Sequence, residues 1–262
     1  MSRIKIMTPI LPSPLLLSVR SNGFPKGINE PFWLFDNDSA LKAHLGYKEA
    51  KAGGKEAAVE LVSDLALDFL IKIKDKLPIN AIYVAPHARE ATGDNAIPQV
   101  LASACAIVSE GETEVDIVQV TRVFHTGADP MERMSLKPEF EGSVTQGGHY
   151  VLVDDVTNMG GTLAELANYI LSLGGIVAAV VVLVNAGRVK QLQPTRIVIR
   201  KLEMRYKNEI EEIFRIIPGA LTANEANYLV GFKSTDEIRN RLVKARKETD
   251  LRLRSKSIER KS

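Results

Sequence analysis

Apolar residues recur along this 262-residue chain at two spacings, and the change from one to the other outlines the fold. Tyr150-Val151-Leu152-Val153 is a continuous apolar run, the pattern of a strand buried on both faces. From Leu163 the period lengthens. Leu163, Leu166, Ala167, Ile170 and Leu171 fall at helical spacing, and Gly174-Gly175 supply a stop. An earlier helix is predicted from Lys55 to Lys76, with Ala58, Leu61, Val62, Leu65, Phe69 and Ile73 on one stripe and Pro78 ending it. Ala81 to Ala85 reads as a strand, and Pro86 to Gly93 as a loop. The next helix has Asn95 as its cap and Pro98 in its first turn, and runs through Leu101 and Cys105 to Val108. Further strands are predicted at Val115–Val120, Ile176–Val184 and Arg196–Arg200. In the irregular first 50 residues, Leu15–Val19 and Phe32–Phe35 read as strands, with Trp33 serving core or hood packing. His125 to Gly148 shows no period and is expected to be a long loop, a kind of segment that is usually functional or disordered.

Strands alternating with helices predict an α/β fold, a doubly wound parallel sheet with right-handed crossovers. The pattern changes near residue 200. Ile210, Ile213, Phe214 and Ile217 share a face, and Thr222-Ala223-Asn224-Glu225 has the spacing of a capping box, repeated at Ser234-Thr235-Asp236-Glu237. The expected organisation is an α/β domain over 1–200, with an irregular or hood segment at its start, and a helical C-terminal appendage over 201–262.

Composition narrows the class. Hydrophobic residues make up 45% and charged ones 25%, with a net charge of +2, so no strong overall attraction to nucleic acid or membrane is expected. A single cysteine, Cys105, excludes an intramolecular disulfide framework, and no apolar run reaches the roughly 20 residues of a membrane span. The expected location is the cytoplasm. Residues 233–262 hold 11 basic and 5 acidic side chains, but no aromatic follows Phe232. That favours a solvated helix over a nucleic-acid-binding tail.

The candidate chemistry lies between the buried strand and its helix, in Asp154-Asp155-Val156-Thr157-Asn158-Met159-Gly160-Gly161-Thr162. Glycines let backbone approach a ligand, and the first amides of a helix lack partners within it, which makes an anion seat. Two carboxylates one step earlier can accept hydrogen bonds from vicinal hydroxyls. A phosphate beside a diol describes a ribose 5-phosphate. No Gly-x-x-x-x-Gly-Lys-Ser/Thr loop is present, and the histidines at 44, 87, 125 and 149 lack metal-site spacing.

Four apolar residues, two acids, a few small residues and a Gly-Gly-Thr ending together resemble the signature of the type I phosphoribosyltransferases. The likeness spans roughly residues 80–185 and is specific over 150–162. It implies 5-phosphoribosyl-1-pyrophosphate (PRPP) as substrate, with Asp154 and Asp155 on the ribose hydroxyls and residues Val156, Thr157, Asn158, Met159, Gly160, Gly161 and Thr162 on the 5-phosphate. It also implies Mg²⁺ on the pyrophosphate, a nitrogenous acceptor such as a nucleobase, and compatibility with a homodimer. By position, Ala85 to Gly93 corresponds to the pyrophosphate loop, with Ala88, Arg89 and His87 as its candidates. Arg133 and Lys137 belong to the segment that would fold over the site. The spacing Val84-x-Pro86-x-x-Arg89 is loosely similar to a competence-factor-like branch. Two departures stand out. Met159 replaces the usual threonine or alanine, and Asn158 occupies the place where purine-specific members carry an aspartate. Both departures, with the basic tail, also suit a second class: a PRPP-sensing regulator without transfer activity.

Overall fold

A computed structural model describes residues 19–87, 95–120, 129–206 and 208–255. Its centre is β6 (His149–Thr157), paired in parallel with β7 (Ile176–Asn185) on one side and β2 (Ile82–Val84) on the other. β1 (Phe32–Phe35) continues the sheet beyond β7, and β3 (Glu112–Glu114) continues it beyond β2. The order β1-β7-β6-β2-β3 is parallel throughout. Tyr150, Val151, Leu152 and Val153 are completely buried, because helices cover both faces of the sheet.

Side-chain alternation along β6 divides the core. Val151 and Val153 pack with α3 (Lys55–Ile73), which follows the short α1 (Ser39–Ala43) and α2 (Tyr47–Lys51), and with α4 (Ile97–Ser109). Buried residues of α3 and α4 include Leu61, Leu70, Ile97 and Leu101. Tyr150 and Leu152 pack on the opposite face with Leu163, Leu166 and Ile170 of α6 (Gly161–Ser172). The doubly wound α/β sheet is thus present. Ala178 is an extra residue in β7, where the register moves between Tyr150 and Val151.

A third core joins the C-terminal helices to the sheet's functional edge. α5 (Pro130–Ser135) brings Met131 and Met134. α7 (Arg196–Tyr206), α8 (Glu209–Phe214), α9 (Ala223–Val230) and α10 (Thr235–Ser255) bring Leu202, Tyr206, Phe214, Leu229 and Ile238. Met159 is buried in this cluster too.

Three expectations change. Arg196–Arg200 begins a helix rather than a strand. Val198, Leu202 and Tyr206 face the third core at fourfold spacing, and β1 already holds the sheet edge beside β7. The strand expected at Val115–Val120 is split: β3 ends at Glu114, and Val118–Gln119 (β4) pairs antiparallel with Phe140–Glu141 (β5). Asp116 interrupts the run, its amide donating to Glu114 Oε1 at 2.6 Å. The long segment before β6 carries α5 and β5, so its described part is not structureless. Residues 1–18 and 121–128 lie outside the described residues. So do 88–94, with Ala88 and Arg89. Trp33 is half-buried against the α6-side core and donates Nε1–H to Asp36 at 3.2 Å.

Candidate active site at the end of the central strand

β6 delivers its last residues to the sheet's carboxyl edge, where ligands of open α/β sheets bind. Gly160 turns the chain with φ of 76°, a conformation glycine adopts without a Cβ penalty, and α6 starts at once. No side chain caps that start. Its first amides therefore face a pocket of about 510 Å³, counting its open mouth, lined by residues 156–163, Arg133, Lys137, Asp154, Glu165 and Glu225. Backbone donors and the positive end of the helix dipole lie at one side of this pocket. Asp154 lines the same pocket.

The adjacent aspartates part company, as neighbours on a strand must. Asp154 is half-buried and lines the pocket. Burial, followed by the charge of Asp155, pushes its carboxyl well above the usual carboxylate range. Asp155, 4% exposed, is taken up by the protein. It pairs with Lys51 Nζ at 2.7 Å and accepts from Asn95 Nδ2 at 3.0 Å. Burial works against the Lys51 ammonium, but Asp155 outweighs it and raises the proton affinity of the lysine. Asn95 also accepts the amide of Ile97 at 3.2 Å, but it is not the expected cap: it stands one residue before Ala96, the cap of α4, and no side chain caps that start.

Beneath the glycine turn lies a buried ionic quartet. Arg20, with no exposure, contacts Glu225 at 2.6 Å and Glu165 at 3.5 Å, and Lys137 reaches Glu165 at 3.2 Å. Two cations and two carboxylates leave the group neutral, the condition under which buried charges are tolerated. Burial raises Glu165 and lowers Lys137 in proton affinity, each against the pull of its partners. Lys137 also donates to the Arg215 carbonyl at 3.0 Å.

The capping box read from Thr222 and Glu225 forms in full and has a second use. Thr222 Oγ1 donates to the Met159 carbonyl at 2.6 Å, while the Glu225 carboxylate accepts the Thr222 amide and holds Arg20. The start of α9 thus clamps the turn between β6 and α6, and the Met159 side chain anchors that turn in the third core.

Arg133, Lys137, Asp154 and residues 156–162 therefore converge on one pocket. His87 does not join them. It lines a separate depression with Lys55, Gln99 and Thr113, its Nδ1 lying 3.2 Å from the Ala85 carbonyl. Cys105 is a buried residue of α4, its thiol pushed up to about 12 by burial. No local pattern marks Lys51, Arg20 or Glu165, whose partners lie far along the chain. Glu225 was visible as a cap, but not as part of the site.

A second pocket of about 940 Å³, counted the same way, adjoins the first through Asn158 and Met159. Its other walls are Ala186, Arg188 and Val189 after β7, Asn224, Asn227 and Tyr228 of α9, and Pro130. Gly187 is required by close packing, since a Cβ there would lie 2.8 Å from the Asn158 carbonyl oxygen. Among the described residues no group of three or more acidic, histidine or cysteine side chains could hold a metal by itself. No helix among them is long and apolar enough to cross a membrane.

No protein-family model matches the chain. It is 34% identical over 208 residues to Protein TraN of Escherichia coli, covering 77% of this chain and 46% of that protein. To an uncharacterized protein of Haemophilus influenzae it is 37% identical over 131 residues, covering 49% of this chain and 29% of that protein. The chain thus spans less than half the length of the curated relatives it matches. Similar solved structures include adenine phosphoribosyltransferases from Thermoanaerobacter pseudethanolicus (TM-score 0.32, 20% identity, 48% of this chain and 72% of that one) and Leishmania donovani (0.35, 14%, 58% and 71%). Likenesses of that size carry no weight here, and the fold stands on the sheet order itself.

Proposed function

We propose that the pocket at the end of β6 binds the 5-phosphoribosyl group of PRPP and that the protein transfers it to a nitrogenous acceptor, releasing pyrophosphate. One observation carries the reading: an uncapped helix start and a carboxylate, Asp154, share a single pocket with Arg133 and Lys137. The amides of the glycine turn suit the 5-phosphate, and Asp154 suits the ribose hydroxyls. In the transfer the acceptor nitrogen's lone pair forms the bond to C1, while the C1–O bonding pair departs with pyrophosphate. Positive charge builds on the ribose ring as the leaving group departs, and Asp154 stands where a negative charge favours that state. Arg133 and Lys137 line the same pocket, and their cationic groups suit anionic oxygens of the ligand.

Mg²⁺ suits such a site without a protein cage. Two adjacent carboxylates and the raised proton affinity of Asp154 mark a place where a nearby cation brings relief. Asp154 is the residue that would face it, with ligand oxygens and waters completing its shell. Its chemistry there is to neutralise the leaving group. The second pocket, open to the first at Asn158, has room for the acceptor.

A second reading is favoured by the engagement of Asp155 with Lys51 and Asn95, which leaves one carboxylate facing the pocket. A protein that binds PRPP without transferring it needs no more. Incubation with PRPP, Mg²⁺ and a panel of nitrogenous acceptors, followed by pyrophosphate detection, separates the two. Release dependent on one acceptor supports transfer; saturable PRPP binding with no release under any acceptor supports sensing. Absence of PRPP binding sinks both.

A further inference from the structure

Resting on the transfer reading, we infer that the second pocket takes a planar nitrogen heterocycle bearing a carboxylate, and that Arg188 selects it. Among the described residues the pocket has one charged residue in its lining, Arg188, and no aspartate, glutamate, histidine or lysine. A neutral N–H acceptor would need a base at the junction with the phosphoribosyl pocket. The residue at that junction is Asn158, whose carboxamide does not take up a proton near neutral pH. An acceptor that brings its own negative charge suits both facts. Its carboxylate pairs with Arg188 in the fork geometry that guanidinium offers carboxylates, and a ring nitrogen that carries no hydrogen requires no base from the wall.

The walls fit a flat ring. The Tyr228 ring, Met159 and Val189 supply apolar surface, and Asn158 and Asn227 supply carboxamides that can meet donors or acceptors on the ring edge. The loop bearing Arg188 is fixed in place. Asn224 accepts the Val189 amide at 3.0 Å and donates to the Val189 carbonyl at 2.8 Å. The electron count closes without a protein base. A ring nitrogen that carries no hydrogen gives its lone pair to C1, and the C1–O pair leaves with pyrophosphate. The positive charge left on the ring is balanced by the ring's own carboxylate.

The test uses the full chain with PRPP, Mg²⁺ and four probes: nicotinate and quinolinate as ring carboxylates, nicotinamide and adenine as uncharged rings. Pyrophosphate release with a carboxylate is expected to exceed that with either uncharged ring by about tenfold or more, the discrimination of a charge-assisted hydrogen bond. Arg188 is exposed, so Arg188→Gln leaves the core intact. That variant is expected to raise the KM for the carboxylate by about tenfold while leaving the KM for PRPP unchanged. Preference for nicotinamide or adenine, or an unchanged carboxylate KM in Arg188→Gln, overturns this inference and leaves the transfer reading standing. No release with any acceptor overturns both.

Discussion

Asp154 and Asp155 share a chemistry and a neighbourhood, yet one faces a pocket and the other faces protein. Burial and its neighbour's charge hold the Asp154 carboxyl above the usual range. Between that range and its raised value, the folded chain retains a proton that the unfolded chain has lost. Stability therefore falls as pH rises through this window. Asp154→Asn is expected to flatten that dependence and raise Tm at neutral pH by roughly 2–4 °C, measured by thermal unfolding across pH. It is expected to lose PRPP binding at the same time, the usual tension between a strained site and stability. Lys51→Ala has the opposite effect on the fold, stranding Asp155 without its cation. The Lys51 side chain is 34% exposed. The cost is therefore expected at about 1–3 kcal/mol, below that of breaking a fully buried pair, and denaturant unfolding reads it. A Lys51→Ala protein of unchanged stability would show that Asn95 alone satisfies Asp155.

The strand, glycine turn and helix of the site were legible because three local signals agree: a continuous apolar run, a turn residue able to adopt positive φ, and a change to helical period. α6 falls where that agreement puts it, while β6 runs on past the apolar run through both aspartates to Thr157. Gly160→Ala places a side chain at φ of 76° and 3.4 Å from Thr222 Cγ2. It is expected to cost about 1–2 kcal/mol and to weaken phosphate binding, as titration with ribose 5-phosphate would show. The capping box was equally legible, being local. Its second task was not, since nothing in Thr222 or Glu225 announces Met159 or Arg20. Thr222→Ala is expected to destabilise the protein by about 1–2 kcal/mol and to loosen the 156–162 loop, with faster hydrogen exchange at its amides. At α7, three consecutive β-branched residues, Ile197-Val198-Ile199, gave a strand signal. Tertiary context overrode it, because the edge was taken by β1 and the third core required a helical stripe.

Across the whole molecule, the C-terminal helices bear directly on the site. Arg20 pairs its backbone with residues 215–217, and its guanidinium reaches Glu225 of α9 and Glu165 of α6. Met159, in the ligand loop, is buried among residues of α5 and α7 to α10. Removing 201–262 would therefore expose this core and strip Arg20 of a partner, and the shortened chain is expected to aggregate rather than retain a folded sheet. A monodisperse, cooperatively unfolding 1–200 fragment would contradict that coupling. No periodicity could have revealed it, for it depends on contacts 141 to 205 residues apart. The central claim is that one pocket holds a sugar phosphate between the α6 amides and Asp154. Calorimetric titration of PRPP with Mg²⁺ into the wild-type chain and into Asp154→Asn tests it most directly. Saturable one-to-one binding to the wild type, weakened in Asp154→Asn on the order of tenfold to a hundredfold with folding intact, is the expected result. Equal affinity in both, or no binding to the wild type, would contradict it.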